Sequence, residues 1–300
     1  MPINVSISES DDSENQGFPT WQVNRVTLQL VAALFGQGAS AVFGHDWRED
    51  GVMEAVYGFA RQMQAPIPLS PAEAAAENQP LLYNLLPWPN RPYLSESDLE
   101  QLSSTLRVDS AGLPEELLAF DDEAQRASPN SEPYRYLRAR GLTFLRHRLT
   151  DVSHARLCLG GRCSGFAGRY PGVIEEALLS VRHDKPLYVA GFLGGGAAQV
   201  IDAIERREMP HDFCSSPLQD LYRNPPFPEL NRSNSDHTIN SPAVWNEFSK
   251  IGSERLATIN GLKVEENNEL FHTPVIDRVI ELVLTGLSRL RHNIDSDYAS

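Results

Sequence analysis

Residues 155–195 read ARLCLGGRCSGFAGRYPGVIEEALLSVRHDKPLYVAGFLGG. Two apolar stretches, Ala155–Leu159 and Pro186–Ala190, each run into a glycine-rich loop. Between them a helix opens on Pro171-Gly172 and carries Glu175-Glu176. Short apolar runs closed by glycine are the pattern of strands buried on both faces. Glycine permits positive φ and close approach, and a helix N-terminus presents unpaired N–H groups at the positive end of its dipole. Each strand end therefore offers bare backbone amides, and phosphate is the expected guest. The glutamate pair, one turn into the helix, is placed to meet a sugar.

Upstream, Ile3–Ser8 alternates like a strand and gives way to the acidic, polar stretch Glu9–Gly17. Val26, Leu30, Ala33 and Leu34 recur at helical spacing, Gly36-Gln37-Gly38 ends that helix, and Ala39–Phe43 is a second short strand leading to Gly44-His45-Asp46. A further helix begins at 51–56. Residues 65–95 are proline-rich and 107–133 acidic and rich in Ser, Pro and Asp, which reads as surface excursion and not as a separate domain. From Tyr134 to about Leu149 runs an arginine-bearing helix. Strands and helices alternating at this spacing predict an α/β protein with an open, mostly parallel, three-layer sheet, whose ligand crevice lies beyond the carboxyl ends of the strands. Residues 206–300 read as an irregular segment, densest in Pro, Ser and Asn over 207–244, followed by a C-terminal helical extension around 242–253 and 277–292. They are expected to pack on the same domain, 1–205, with 107–133 as its surface insertion.

The formal net charge of −14 argues against duplex nucleic acid and against an anionic membrane surface as partners, since either calls for a concentrated basic footprint. No stretch is long and apolar enough to span a bilayer and no signal-peptide pattern opens the chain, so a cytoplasmic protein is expected. Cys158, Cys163 and Cys214 are odd in number and suggest neither a disulfide framework nor a metal quartet. His147, His154 and His183 lack metal-ligand spacing, and no metal and no cofactor are expected. No lysine-serine pair follows the glycines at 191–196, which sets an ATPase aside.

The blocks AVFGHDWREDGVMEAV (41–56), LTFLRHRLTDVSHARLCLGG (142–161) and GRYPGVIEEALL (168–179) resemble those of the SLOG superfamily, the Rossmann-like group shared by Smf/DprA proteins and Lonely-guy phosphoribohydrolases. Within it, the 161–171 insert, the NLLPWP segment and the second glycine cluster are most similar to the bacterial branch associated with Sir2 and TIR domains and to its TRPM-related cousins. That resemblance implies a sensor of an NAD-derived nucleotide, ADP-ribose or a cyclic ADP-ribose, in antiphage defence signalling. It also implies a homo-oligomer and a separately encoded TIR or Sir2 effector as partners. More distantly it implies an N-glycosidase that cleaves a nucleoside monophosphate, with Glu175 steadying the cationic sugar and Arg146 orienting it. The enzymes' Pro-Gly-Gly-x-Gly-Thr loop is replaced here by Gly168-Arg169-Tyr170-Pro171-Gly172-Val173, without the threonine. Single-stranded DNA binding of the Smf/DprA kind is disfavoured by the acidic balance and the three lysines, Lys185, Lys250 and Lys263.

The candidate ligand-binding set is Ser6 and Ser8, Gly44, His45 and Asp46, Arg146, Gly160, Gly161 and Arg162, Gly168, Pro171 and Gly172, Glu175 and Glu176, Gly194 and Gly195. Each carries a plainer reading. An acidic residue in a first turn complements the dipole, serines at a strand exit satisfy turn backbone, and His45-Asp46 makes an Asx-type turn. Arg162 would be surface charge and the glycines after 190 a packing corner. Adjacent glutamates on a helix diverge by about 100°, so only one faces the crevice; Glu175 is preferred, with Glu176 directed to the flank or to solvent. Arg140 and Arg148 read as solvated face. The C-terminal helix, apolar at Val275, Ile276, Val279, Ile280, Leu282, Val283, Leu284, Leu287 and Leu290, calls for cover on more than one side, from a second copy or from 207–244.

Overall fold

The computed structural model describes residues 1–44, 52–63, 80–89, 97, 100, 105–227, 229–230 and 238–298. Six strands, β1 (Pro2–Ser8), β2 (Ser40–Phe43), β3 (Leu82–Leu86), β4 (Leu106–Ser110), β5 (Ala155–Gly160) and β6 (Leu187–Ala190), form one sheet in the order β4-β3-β2-β1-β5-β6. Every pairing is parallel. The chain builds outward from β1 to β4, then returns to add β5 on the other side of β1. The order reverses between β1 and β5, where Ser8 lies in register with Gly160. Open parallel sheets bind ligands at such a reversal, outside the carboxyl ends of the strands.

Helices accompany the sheet: α1 (Thr20–Gly36), α2 (Val52–Met63), α3 (Asp121–Arg126), α4 (Glu132–Val152), α5 (Gly172–Arg182), α6 (Gly195–Ile204), α7 (Gln219–Arg223), α8 (Ser241–Asn260, broken at Gly252), α9 (Val264–His272) and α10 (Ile276–Tyr298), with a 3-10 turn at Glu115–Phe120. The strand period of two divides the core between the faces. Leu157 and Leu159, with Val5 and Ala190, pack with Val26, Met53, Leu270 and Val283 of α1, α2, α9 and α10. Cys158 and Val189 pack on the other face with Leu137, Ile174, Val200 and Phe248 of α4, α5, α6 and α8. The three-layer parallel α/β architecture read from the sequence is the architecture of the protein.

Two strands escaped the sequence reading. Leu82–Leu86 sits inside the proline-rich stretch and Leu106–Ser110 at the margin of the acidic one, yet they extend the sheet beyond β2. Both lie among prolines and acids, and β4 at the edge buries one residue fully, so neither carries a clear apolar signal. Helix α9 was also passed over. Its Phe271 carbonyl accepts the Gly191 amide at 3.1 Å, and Asn260 Nδ2 donates to the Leu187 carbonyl at 3.0 Å, so the C-terminal helices close the β6 side of the sheet by hydrogen bonds as well as by packing. Part of the apolar breadth of α10 is met inside the chain. Val279, Leu282, Val283 and Leu287 are buried in the same core layer as Leu34 and Phe35 of α1, whereas Ile276, Ile280 and Leu284 are partly buried and Val275, just ahead of the helix, is exposed. No described helix is long and apolar enough to cross a membrane.

Candidate functional site

The loops after β1, β5 and β6 are laced together by their own backbone. The Gly161 amide donates to the Ser8 carbonyl at 3.0 Å, and the Gly161 carbonyl accepts the Gly196 amide at 2.8 Å. Such close approach requires glycine. A Cβ on Gly160 (φ +60°) would collide with the Ser8 carbonyl, and one on Gly195 (φ +61°) with the Gly161 carbonyl, backbone that has nowhere to go. Ser8, Gly160, Gly161, Gly194 and Gly195 thus converge on the reversal point. A cavity of about 300 Å³ opens beside them, lined by Glu9, Ser10, Asp11, Ser13, Glu14 and Arg162 among others. Arg162 pairs with Glu9 at 3.1 Å, and Asp11 Oδ2 accepts the amides of Cys163 and Ser164 at 3.0 and 2.9 Å. Burial and the nearby acids Asp11, Asp212 and Asp12 push the Cys163 thiol up to about 12, which keeps it protonated and a poor nucleophile.

A second cluster sits behind the crevice, where α4 crosses the start of α5. Glu175 is buried at 3% exposure, with its Oε2 paired to Arg146 and its Oε1 accepting the Thr143 hydroxyl at 2.7 Å. Arg146 also lies beneath the loop ahead of α5: a Cβ on Gly168 would come within 2.5 Å of its Nη1, and one on Gly172 within 3.2 Å of its Nη2. Pro171 stands at the N-cap, and its carbonyl accepts the Glu175 amide at 2.9 Å. Glu176 turns neither to the crevice nor to solvent. Its carboxylate lies between Arg146 (3.9 Å) and Arg156 (3.7 Å), because the 100° step along α5 carries it back toward β5. Arg156 is fully buried within β5, where Asn4 Oδ1 (2.6 Å), Thr150 Oγ1 (3.0 Å) and Ser180 Oγ (3.1 Å) accept its hydrogen bonds. Burial lowers its pKa and Glu176 opposes that shift.

The segment after α6 roofs this cluster. Arg169 Nη2 donates to the Thr238 carbonyl at 2.6 Å, the Asn240 amide donates to Tyr170 Oη at 2.9 Å, and Ser241 Oγ donates to the Cys214 carbonyl at 3.3 Å. Burial, with Glu175 nearby, raises the Tyr222 phenol and the Cys214 thiol. Arg140 is not solvated face. It is buried on α4, donating to Tyr136 Oη at 2.9 Å and pairing with Glu116 at 2.6 Å.

The remaining sequence candidates fall elsewhere. Ser6 lies two residues short of the strand end, buried and opposite Cys158 in register. Gly44 ends β2 under α4, where a Cβ would press on Leu149 Cδ1 at 2.6 Å, so its smallness serves helix packing. His45, Asp46 and Gly51 lie outside the described residues. Thr143, Arg156, Ser10 and Asp11 were not singled out. Thr143 stands three residues before Arg146 on the same helical face, and an arginine inside an apolar strand run demands a buried partner, so both left a legible trace. Ser10 and Asp11 left none, being polar residues in a polar loop. Among the described residues no group of three or more His, Cys, Asp or Glu is placed to hold a metal ion.

A parallel sheet with its crevice at the strand-order reversal and glycine loops at the strand ends defines a Rossmann-like α/β protein. The SLOG cluster2 family profile matches residues 1–270, and the chain belongs to the SLOG superfamily. That membership points to a nucleotide-related role. Among curated proteins and among solved structures, nothing matches.

Proposed function

We propose that the protein is a nucleotide sensor that binds an NAD-derived nucleotide, ADP-ribose or a cyclic ADP-ribose, at the reversal between β1 and β5. The observation that carries this reading is the meeting of two glycine loops, 160–161 and 194–196, beside a cavity of about 300 Å³ with carboxylates and an arginine on its walls. The amides of Cys163 and Ser164, which converge on one acceptor, and the Arg162 guanidinium suit phosphates, and Glu9 and Glu14 suit sugar hydroxyls. Signalling would pass through association with itself or with a separately encoded TIR or Sir2 effector, which light scattering with and without nucleotide would register. Thermal shift with ADP-ribose, cyclic ADP-ribose isomers, NAD and AMP tests the reading. Ligand at a hundred times its Kd stabilises a protein by about 2.7 kcal/mol, an unmistakable shift; no shift with any of the four at high micromolar concentration would remove it.

The alternative, an N-glycosidase, is favoured by one observation: Arg146 does hold Glu175. The same pair supports sensing more than cleavage, because both oxygens of Glu175 are engaged and the side chain is sealed. A carboxylate that steadies an oxocarbenium ion must reach the sugar. Release of free base from AMP or NAD, lost in Glu175→Gln, would reverse the preference.

A further inference from the structure

We propose that the Asp11 carboxylate is an internal stand-in for a ligand phosphate: it occupies an anion subsite on the 161–164 loop, and a nucleotide binds there by displacing it. The proposal rests on the nucleotide reading above and adds how the site is gated. The amides of Cys163 and Ser164 converge on a single oxygen, Asp11 Oδ2, at 3.0 and 2.9 Å. Two convergent N–H donors flanked by the Arg162 guanidinium form a donor set that suits a phosphate oxygen as well as a carboxylate one.

An independent observation points to a guest beyond Asp11. Ser10, only 6% exposed, lines the same cavity, and its buried Oγ has no hydrogen-bond partner. A buried hydroxyl left unpaired is costly, and a ligand oxygen entering as Asp11 turns out would satisfy it where Asp11 does not. Asp11 itself is exposed, so its carboxylate moves into water without uncovering core. Its loop stays anchored at both ends as it does so, by β1 on one side and by the Phe18 amide on the Ser13 carbonyl, at 2.7 Å, on the other.

Calorimetric titration of ADP-ribose and of inorganic pyrophosphate into the parent, Asp11→Ala, Asp12→Ala and Ser10→Ala proteins tests this. Asp11→Ala is expected to tighten binding about tenfold or more, as removal of a charge-assisted competitor requires. Asp12→Ala, which removes the same charge one residue along, is expected to change it far less, and Ser10→Ala to weaken it. Equal or weaker binding by Asp11→Ala, or equal tightening by Asp12→Ala, overturns the displacement while leaving the nucleotide reading intact wherever ADP-ribose binds. If ADP-ribose binds none of the proteins, the nucleotide reading fails and pyrophosphate decides the subsite alone. Binding to Asp11→Ala upholds the subsite, and binding to neither Asp11→Ala nor the parent overturns it. Should Asp11→Ala lose its cooperative melt, Asp11→Asn, which keeps the side chain's shape and drops its charge, carries the same comparisons.

Discussion

Arg146 holds three things at once: the Glu175 carboxylate, the flank of Glu176, and the underside of the Gly168–Gly172 loop. Removing one member of a buried pair leaves the other charge uncompensated, at about 3–5 kcal/mol. Arg146→Ala should therefore lower the urea midpoint of the ligand-free protein markedly, and an unchanged midpoint would show the pair to be energetically idle. Glycine positions separate backbone conformation from crowding. Gly17 (φ +87°) has open space around a virtual Cβ, whereas Gly195 (φ +61°) would meet the Gly161 carbonyl and Ser10. Alanine in the left-handed region costs about 1–2 kcal/mol, so Gly17→Ala should lose roughly that, and Gly195→Ala clearly more. Equal losses in urea unfolding would mean that the loop contact yields. At this scale the motif was legible but not the place of its side chains: Glu175 and Arg146, expected at the crevice, are buried as a pair behind it. The sequence was silent about Ser10 and Asp11, whose significance comes only from the loop they touch across some 150 residues of chain.

Among the elements, α4 shows what helical spacing conceals. Its arginines look alike in sequence, yet Arg140 and Arg146 are buried in polar networks that the surrounding elements complete. On the same helix His147 is exposed at the surface, yet its partial covering lowers its pKa; Glu175 and Asp151 oppose that shift, while His183 and Arg182 add to it. The sign of the pH effect follows. The unfolded chain, at the ordinary value of about 6.5, binds its proton before the folded one does. Stability contributed by neutral His147 is full above that value and declines as pH falls through it toward the lower folded value. Melting temperatures between pH 7.5 and 5 should fall more steeply for the parent than for His147→Asn, and parallel slopes would remove the effect. Strands whose apolar runs end at glycine or turn residues, the four-residue β2 and β6 included, and the motif helix were legible. β3 and β4 were not, because strands set among prolines and acids take their identity from pairing with β2 and with each other.

For the molecule as a whole, the C-terminal helices complete the fold although the family match ends at residue 270. Four α10 side chains, Val279, Leu282, Val283 and Leu287, are buried. At about 1.5–3 kcal/mol each, their loss is comparable with a typical total stability of about 5–15 kcal/mol. A chain ending at residue 274 should consequently aggregate or melt without cooperativity, and a parent-like melt would show α10 to be an ornament. The sheet order was not read from the sequence, because β3 and β4 went unseen there, and neither was the roof over Glu175, since the sequence 207–244 carries little periodicity and contacts such as Arg169 with Thr238 come from the fold. Crystallography of the protein grown with ADP-ribose tests the central claim most directly. Pyrophosphate density is expected beyond β1 and β5, on the amides of Cys163 and Ser164 beside Arg162, with Asp11 turned away; full occupancy of the ligand at any other place, with Asp11 still on Cys163 and Ser164, would contradict the claim.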